Sequence, residues 1–201
     1  METMYHGYRK IFWGFFFLTF YLNLFGFRVL PEFIAALIIL SGVSQISSYL
    51  NTKQWNYARL TAVIIFFITV ADLVLQISET NKSFFMPQEF SLLYQSAGLI
   101  VHILFAYFIL TGSAEWLRNN GFDESAKMCE RKLSFYILWS VLAAVSQIAA
   151  IVTINNAIII IAIVFSFIVR IWFMVIISGL SKAAKANIDR MEIKPQNPDI
   201  M

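Results

Sequence analysis

The chain has 201 residues, of which 59% are hydrophobic and 13% charged, with a mean hydropathy of +0.71. A soluble domain of this length carries about a quarter charged residues, so a soluble globular fold is excluded. The net charge of +3 comes from short basic clusters flanking apolar runs, the pattern of membrane topology, and not from a basic patch that would grip nucleic acid.

A hydrocarbon core about 30 Å thick takes about 20 apolar residues per helix. Six segments meet or approach that length: 10–26, 32–50, 58–77, 91–114, 133–154 and 157–180. They predict an all-α, polytopic membrane protein with six transmembrane helices in one domain over 1–180, followed by a polar, frayed tail over 181–201. The first run lacks a small-residue cleavage site and leads into a second apolar run, so it reads as a mature helix and not a signal peptide. Gly26 marks its end. Pro31 fits the first turn of the second helix, and Glu32 suits that helix's positive end. Asn119-Asn120-Gly121 is a stop signal for the fourth helix, and Asn155-Asn156 breaks the fifth from the sixth.

Lysine and arginine counts orient the bundle. With the N-terminus inside, the inner set is Arg9, Lys10, Lys53, Arg59, Arg118, Lys127, Arg131, Lys132, Lys182, Lys185, Arg190 and Lys194, against Arg28 and Lys82 outside. Only an even number of spans gives this asymmetry, so both termini are expected in the cytoplasm and the protein in the cell membrane. Val43-Ser44-Gln45-Ile46 recurs as Val145-Ser146-Gln147-Ile148, which raises a three-plus-three division into inverted repeats of the kind transporters use. A four-residue match is weak support in so biased a chain.

Polar groups facing lipid are costly, so polar stripes predict the inward face of each helix. The stripes are Thr19, Asn23 and Gly26 on helix one; Ser41, Ser44, Gln45 and Ser48 on helix two; and Thr61, Thr69, Asp72, Gln76 and Glu79 on helix three. Helix four offers Ser91, Gln95, Gly98, His102, Ala106 and Ser113. Helix five offers Ser140, Ala144, Gln147 and Ala150, and helix six offers Ser166 and Arg170. At 1.5 Å per residue, Asp72 lies roughly 21 Å and Arg170 roughly 15 Å from the inner ends of their helices, and His102 roughly 16 Å from the outer end of its own. All fall near the midplane. An Asp72–Arg170 ion pair is therefore expected, with His102 and Gln147 beside it and Gln95 and Asn23 completing a polar cluster.

Two readings of that cluster compete. One is a cavity between helices three, four and six that binds a substrate or relays protons. The other is a buried pair that only pins two helices together. His6 and His102 are the only histidines and Cys129 the only cysteine, so no metal site, cofactor or disulfide is expected. No nucleophile elbow or phosphate loop is present, so no catalytic residues are assigned and the chain does not read as an enzyme.

Arg9-Lys10-Ile11-Phe12-Trp13-Gly14 and Phe25-Gly26-Phe27-Arg28-Val29-Leu30-Pro31-Glu32-Phe33-Ile34 resemble the start of a group of uncharacterised multi-spanning membrane proteins of Gram-positive bacteria. That group shares the Lys-hydrophobic-Phe-Trp-Gly opening and a Gly-Phe-Asp-hydrophobic-Leu-Pro-Asp-Phe-Ile link. Here Arg28 replaces the first acid of the link and Glu32 the second. The resemblance covers the first fifth of the chain and implies a bacterial membrane protein but no activity. Six-helix substrate-capture subunits of vitamin importers match in size and topology only, since their Ala-x-x-x-Ala face is missing between Lys10 and Gly26. Two functions follow: a small transporter or substrate-binding membrane subunit with a polar midplane site, or a non-transporting accessory that assembles with, protects or regulates a membrane partner. Substrate and partner identity are not legible.

Overall fold

A computed structural model describes residues 2–20, 23–24, 27–28, 32–80, 88–153 and 156–192. Within these, side chains are described outside 23–28, 76–93, 95–96, 150–156, 159 and 187–192. Six helices form the protein: α1 (Glu2–Thr19), α2 (Glu32–Leu50), α3 (Lys53–Thr80), α4 (Gln88–Asn119), α5 (Asp123–Thr153) and α6 (Asn156–Glu192). Asn23–Leu24 and Phe27–Arg28 pair as a two-residue antiparallel ladder between α1 and α2. The fold is all-α. Five helices, α2 to α6, are long and apolar enough to cross a membrane, whereas the 18 residues of α1 include Glu2, Arg9 and Lys10. Large apolar side chains stay exposed around the perimeter, Leu60 and Phe67 on α3 and Ile160 and Ile163 on α6 among them. This is the belt that lipid covers, and the chain is a helical membrane protein.

The helices close into a ring in chain order, each packed on the next and α6 returning to α1. Within it α1 is the most central: Tyr8 meets Trp55 of α3 and Ser113 of α4, and Phe15 meets Phe105 of α4 and Phe173 of α6. Local chemistry sets the helix ends. Asn51, with φ at 46°, closes α2, and its N–H donates to Ser47 O at 2.8 Å. Gly121, with φ at 78°, ends α4 in a motif whose N–H groups return to Arg118 O and Leu117 O, a left-handed stop that suits glycine. Asp123 and Glu124 then sit in the first turn of α5, where the helix dipole favours them.

Several expected boundaries shift. The first helix was expected over 10–26 and runs Glu2–Thr19 instead, so Gly26 does not mark its end; Gly26 and Pro31 lie outside the described residues. Phe20, just past α1, packs on Phe167 with ring centroids 5.5 Å apart. Phe167 lies 11 residues into α6, so α1 stops about 17 Å short of the far end of that helix. The second helix is observed over the expected residues, and helices three to six are longer than their apolar runs. The tail expected to fray after residue 180 is helical through Glu192, because Leu180 and Ala184 are buried in the core.

The inward face of α2 is also not the polar stripe. It is Ala35, Ala36, Ile39, Gly42, Val43, Ile46 and Ser47, while Ser41 and Ser48 are exposed. Close packing against α1 outweighs polarity there. A Cβ on Gly42 would lie 2.6 Å from Gly7 O and 2.9 Å from Lys10 Cβ, a fit open only to glycine. The recurring tetrapeptide sits in unlike settings: Val43 and Ile46 are fully buried, whereas Val145 and Ile148 are 57% and 49% exposed.

Candidate functional site

Where α1 stops, the ring is not filled. A cavity of about 70 Å³ lies between α1, α4, α5 and α6. Phe15 and Tyr136 line its aromatic side, and behind them Phe105 stacks on Phe15 while Phe173 meets Phe15 edge-on and Tyr136 at a tilt. Its walls are polar: His102 from α4, Tyr136, Ser140 and Gln147 from α5, and Ser166 and Arg170 from α6. The α5 residues recur at one and two turns, so a single helix face supplies all three.

Gln147 Nε2 donates to Ser166 Oγ at 2.7 Å, and Ser166 Oγ donates to Ala162 O at 2.8 Å. That chain closes the wall between α5 and α6 and fixes the amide. The His102 ring stands edge-on to Phe15 at 6.5 Å. Ser140 is only 4% exposed; its Oγ makes no hydrogen bond of full geometry among the described residues, and the Tyr136 hydroxyl one turn earlier is its polar neighbour. Tyr136 and Ser140 thus set two hydroxyls side by side on the cavity wall. The volume accommodates a few waters or a small solute, since one water needs about 10–15 Å³; ligand pockets for larger molecules run to several hundred Å³.

His102, Gln147 and Arg170 therefore meet as expected. Asp72 does not join them. It neighbours Tyr94 of α4 and Glu32 at the start of α2, and Tyr94 donates to Ile68 O at 2.8 Å. Tyr94 lies two turns from His102, about 12 Å along α4. Moreover, α3 and α6 are not neighbours in the ring. No ion pair joins Asp72 to Arg170 among the described residues, and the cavity lies between α1, α4, α5 and α6 and not between the third, fourth and sixth helices. The side chains of Gln95 and Asn23 lie outside the described residues, as does most of the helix-link motif, of which Glu32 is the first residue of α2.

With Asp72 elsewhere, Arg170 is the one formal charge among the described lining residues, and no described carboxylate faces it there. Tyr136, one turn before Ser140 on the same face of α5, also lines the cavity; its ring is mostly apolar, so a polar stripe does not reveal it. Among the described residues no group of three or more His, Cys, Asp or Glu could hold a metal. Comparison with protein-family models, with curated proteins and with solved structures gives no match to this chain, so the site is read from its own geometry.

Proposed function

We propose that the chain is a small cell-membrane transporter, or the substrate-binding membrane subunit of one, and that the cavity beside Arg170 takes a small polar solute carrying an anionic group. The topology is six spans with both termini cytoplasmic, supported by twelve inner against two outer basic residues. The observation that carries the reading is the lining itself: among the described residues, one guanidinium exposed at the cavity's edge, no carboxylate, and the hydroxyls of Tyr136, Ser140 and Ser166. Arg170 is exposed beside the cavity on an apolar helix, and a charge on a membrane-spanning helix is costly unless it serves a pathway or a partner.

The test uses purified protein in lipid nanodiscs, with thermal stability followed against chloride, sulfate, phosphate and short carboxylates, and flux of the stabilising anion measured in proteoliposomes. Arg170→Gln is expected to weaken the response at least about tenfold, the loss of one charge-assisted hydrogen bond. If no anion stabilises the protein and none is transported, the reading fails, and a non-transporting accessory becomes the better account.

A further inference from the structure

A second feature, unrelated to the cavity, lies on the flank of the bundle between α1 and α6. It is an open groove of about 470 Å³. Phe12, Phe16 and Phe20 form one wall at a spacing of one residue per turn. On the opposite wall Gly179 leaves the groove open, because a Cβ there would meet nothing within 4 Å. Along α6 the groove extends from Ile171 to Lys182, about 16 Å, close to half of a hydrocarbon core about 30 Å thick. Its length is that of one leaflet.

One end of the groove is basic. Lys132 of α5 and Lys182 of α6 both line it, and among the described residues no carboxylate does. Glu130, the acid nearest Lys132 in sequence, is held by Arg118 at 2.6 Å. We propose that this groove is a binding site for an anionic phospholipid, with an acyl chain along the three phenylalanines and the phosphate between Lys132 and Lys182. Charge complementarity chooses this occupant. A neutral helix could cover the apolar wall but would leave two cations at its edge, and basic pockets between membrane helices are suited to anionic headgroups.

The experiment measures retention of phosphatidylglycerol against phosphatidylcholine on the purified full-length protein, by native mass spectrometry and by the shift in Tm each lipid produces. Wild type is expected to prefer phosphatidylglycerol. Lys132→Gln with Lys182→Gln lowers that preference about fivefold for each lysine. Lys127→Gln with Lys185→Gln removes the same charge from exposed positions outside the groove and leaves the preference in place. Gly179→Leu adds a side chain into open space, so the fold stands, and it lowers retention of both lipids. Equal retention of the two lipids by wild type overturns the proposal. So does an equal loss in the control pair, or a Gly179→Leu protein that holds lipid as wild type does.

Discussion

Two helix seams in this bundle are built on opposite principles. Between α1 and α2, Gly7, Gly14, Ala35 and Gly42 recur at seven-residue spacing and bring the backbones together: a Cβ on Gly14 would lie 2.9 Å from Ala35 O. Between α5 and α6, large rings hold the helices apart, with Phe135 on Trp172 at 4.7 Å and Trp139 on Phe165 at 5.1 Å. One side of that seam carries an aromatic groove of about 210 Å³ and the other the polar cavity. Small residues let membrane helices associate through close van der Waals contact. Bulky ones leave space, and space beside polar groups is what a binding site needs. The closed seam anchors α1, and the open seam is where chemistry can enter.

If that contrast is right, the largest loss of stability comes from wedging the closed seam. Gly42→Leu should cost about 3 kcal/mol, the upper part of the usual overpacking range, because the obstacle is the Gly7 backbone and not a movable side chain. A drop in Tm in detergent, with aggregation on heating, is the expected reading; an unshifted Tm would mean that α1 and α2 separate easily. Next comes the packed interior beside it. Tyr8 and Ser113 share a buried hydrogen bond of 2.7 Å, and Ser113 Oγ also lies 2.6 Å from Ile109 O. Ser113→Ala leaves the Tyr8 hydroxyl buried and unpaired and should cost about 2 kcal/mol, whereas Tyr8→Phe should cost only about 1 kcal/mol.

The same deletion in the open seam should behave differently. Ser140 Oγ is buried beside the Tyr136 hydroxyl, without a hydrogen bond of full geometry among the described residues. Ser140→Ala should cost less than about 1 kcal/mol, while altering the response to anions. Comparing its Tm with that of Ser113→Ala puts the contrast between the seams on one scale. A loss as large as that of Ser113→Ala would show Ser140 to be wired into the packing, and the cavity would then be part of the core.

Much of this was legible in the residues. Long apolar runs at bilayer length gave the helices, and Glu32, Asn119-Asn120-Gly121 and Asn155-Asn156 punctuated them near the observed ends. His102, Gln147 and Arg170 were placed together correctly. What failed was angular position. Depth along a helix follows from counting, but whether Asp72 faces α6 depends on the order of helices around the ring, which no spacing encodes. The inward face of α2 was misread for a related reason. Gly42 and Ala35 drive contact through shape and not polarity, so Ser41 and Ser48 face outward. Helix one was misplaced because Arg9 and Lys10 look like a membrane edge, yet α1 starts before them: Lys10 Nζ donates to Ser41 Oγ at 3.2 Å and Arg9 lies over the Tyr5 ring.

The smallest effect should come from the ion pair joining α4 to α5. Arg118 Nη2 meets Glu130 Oε1 at 2.6 Å, but the two side chains are 55% and 46% exposed. At that exposure water and salt screen the attraction, and ordering two long side chains offsets part of it. The turn beneath is already closed by backbone hydrogen bonds from Gly121 and Phe122 and by burial of Ala126 against the core, so the pair adds little that the chain geometry does not supply. Arg118→Ala should cost about 0.5 kcal/mol or less, with the difference from wild type fading as salt is raised. A larger, salt-insensitive loss would mean that the α4–α5 end relies on this contact as the α1–α2 seam relies on its glycines. The open side of the bundle would then be held by charge and not by its rings.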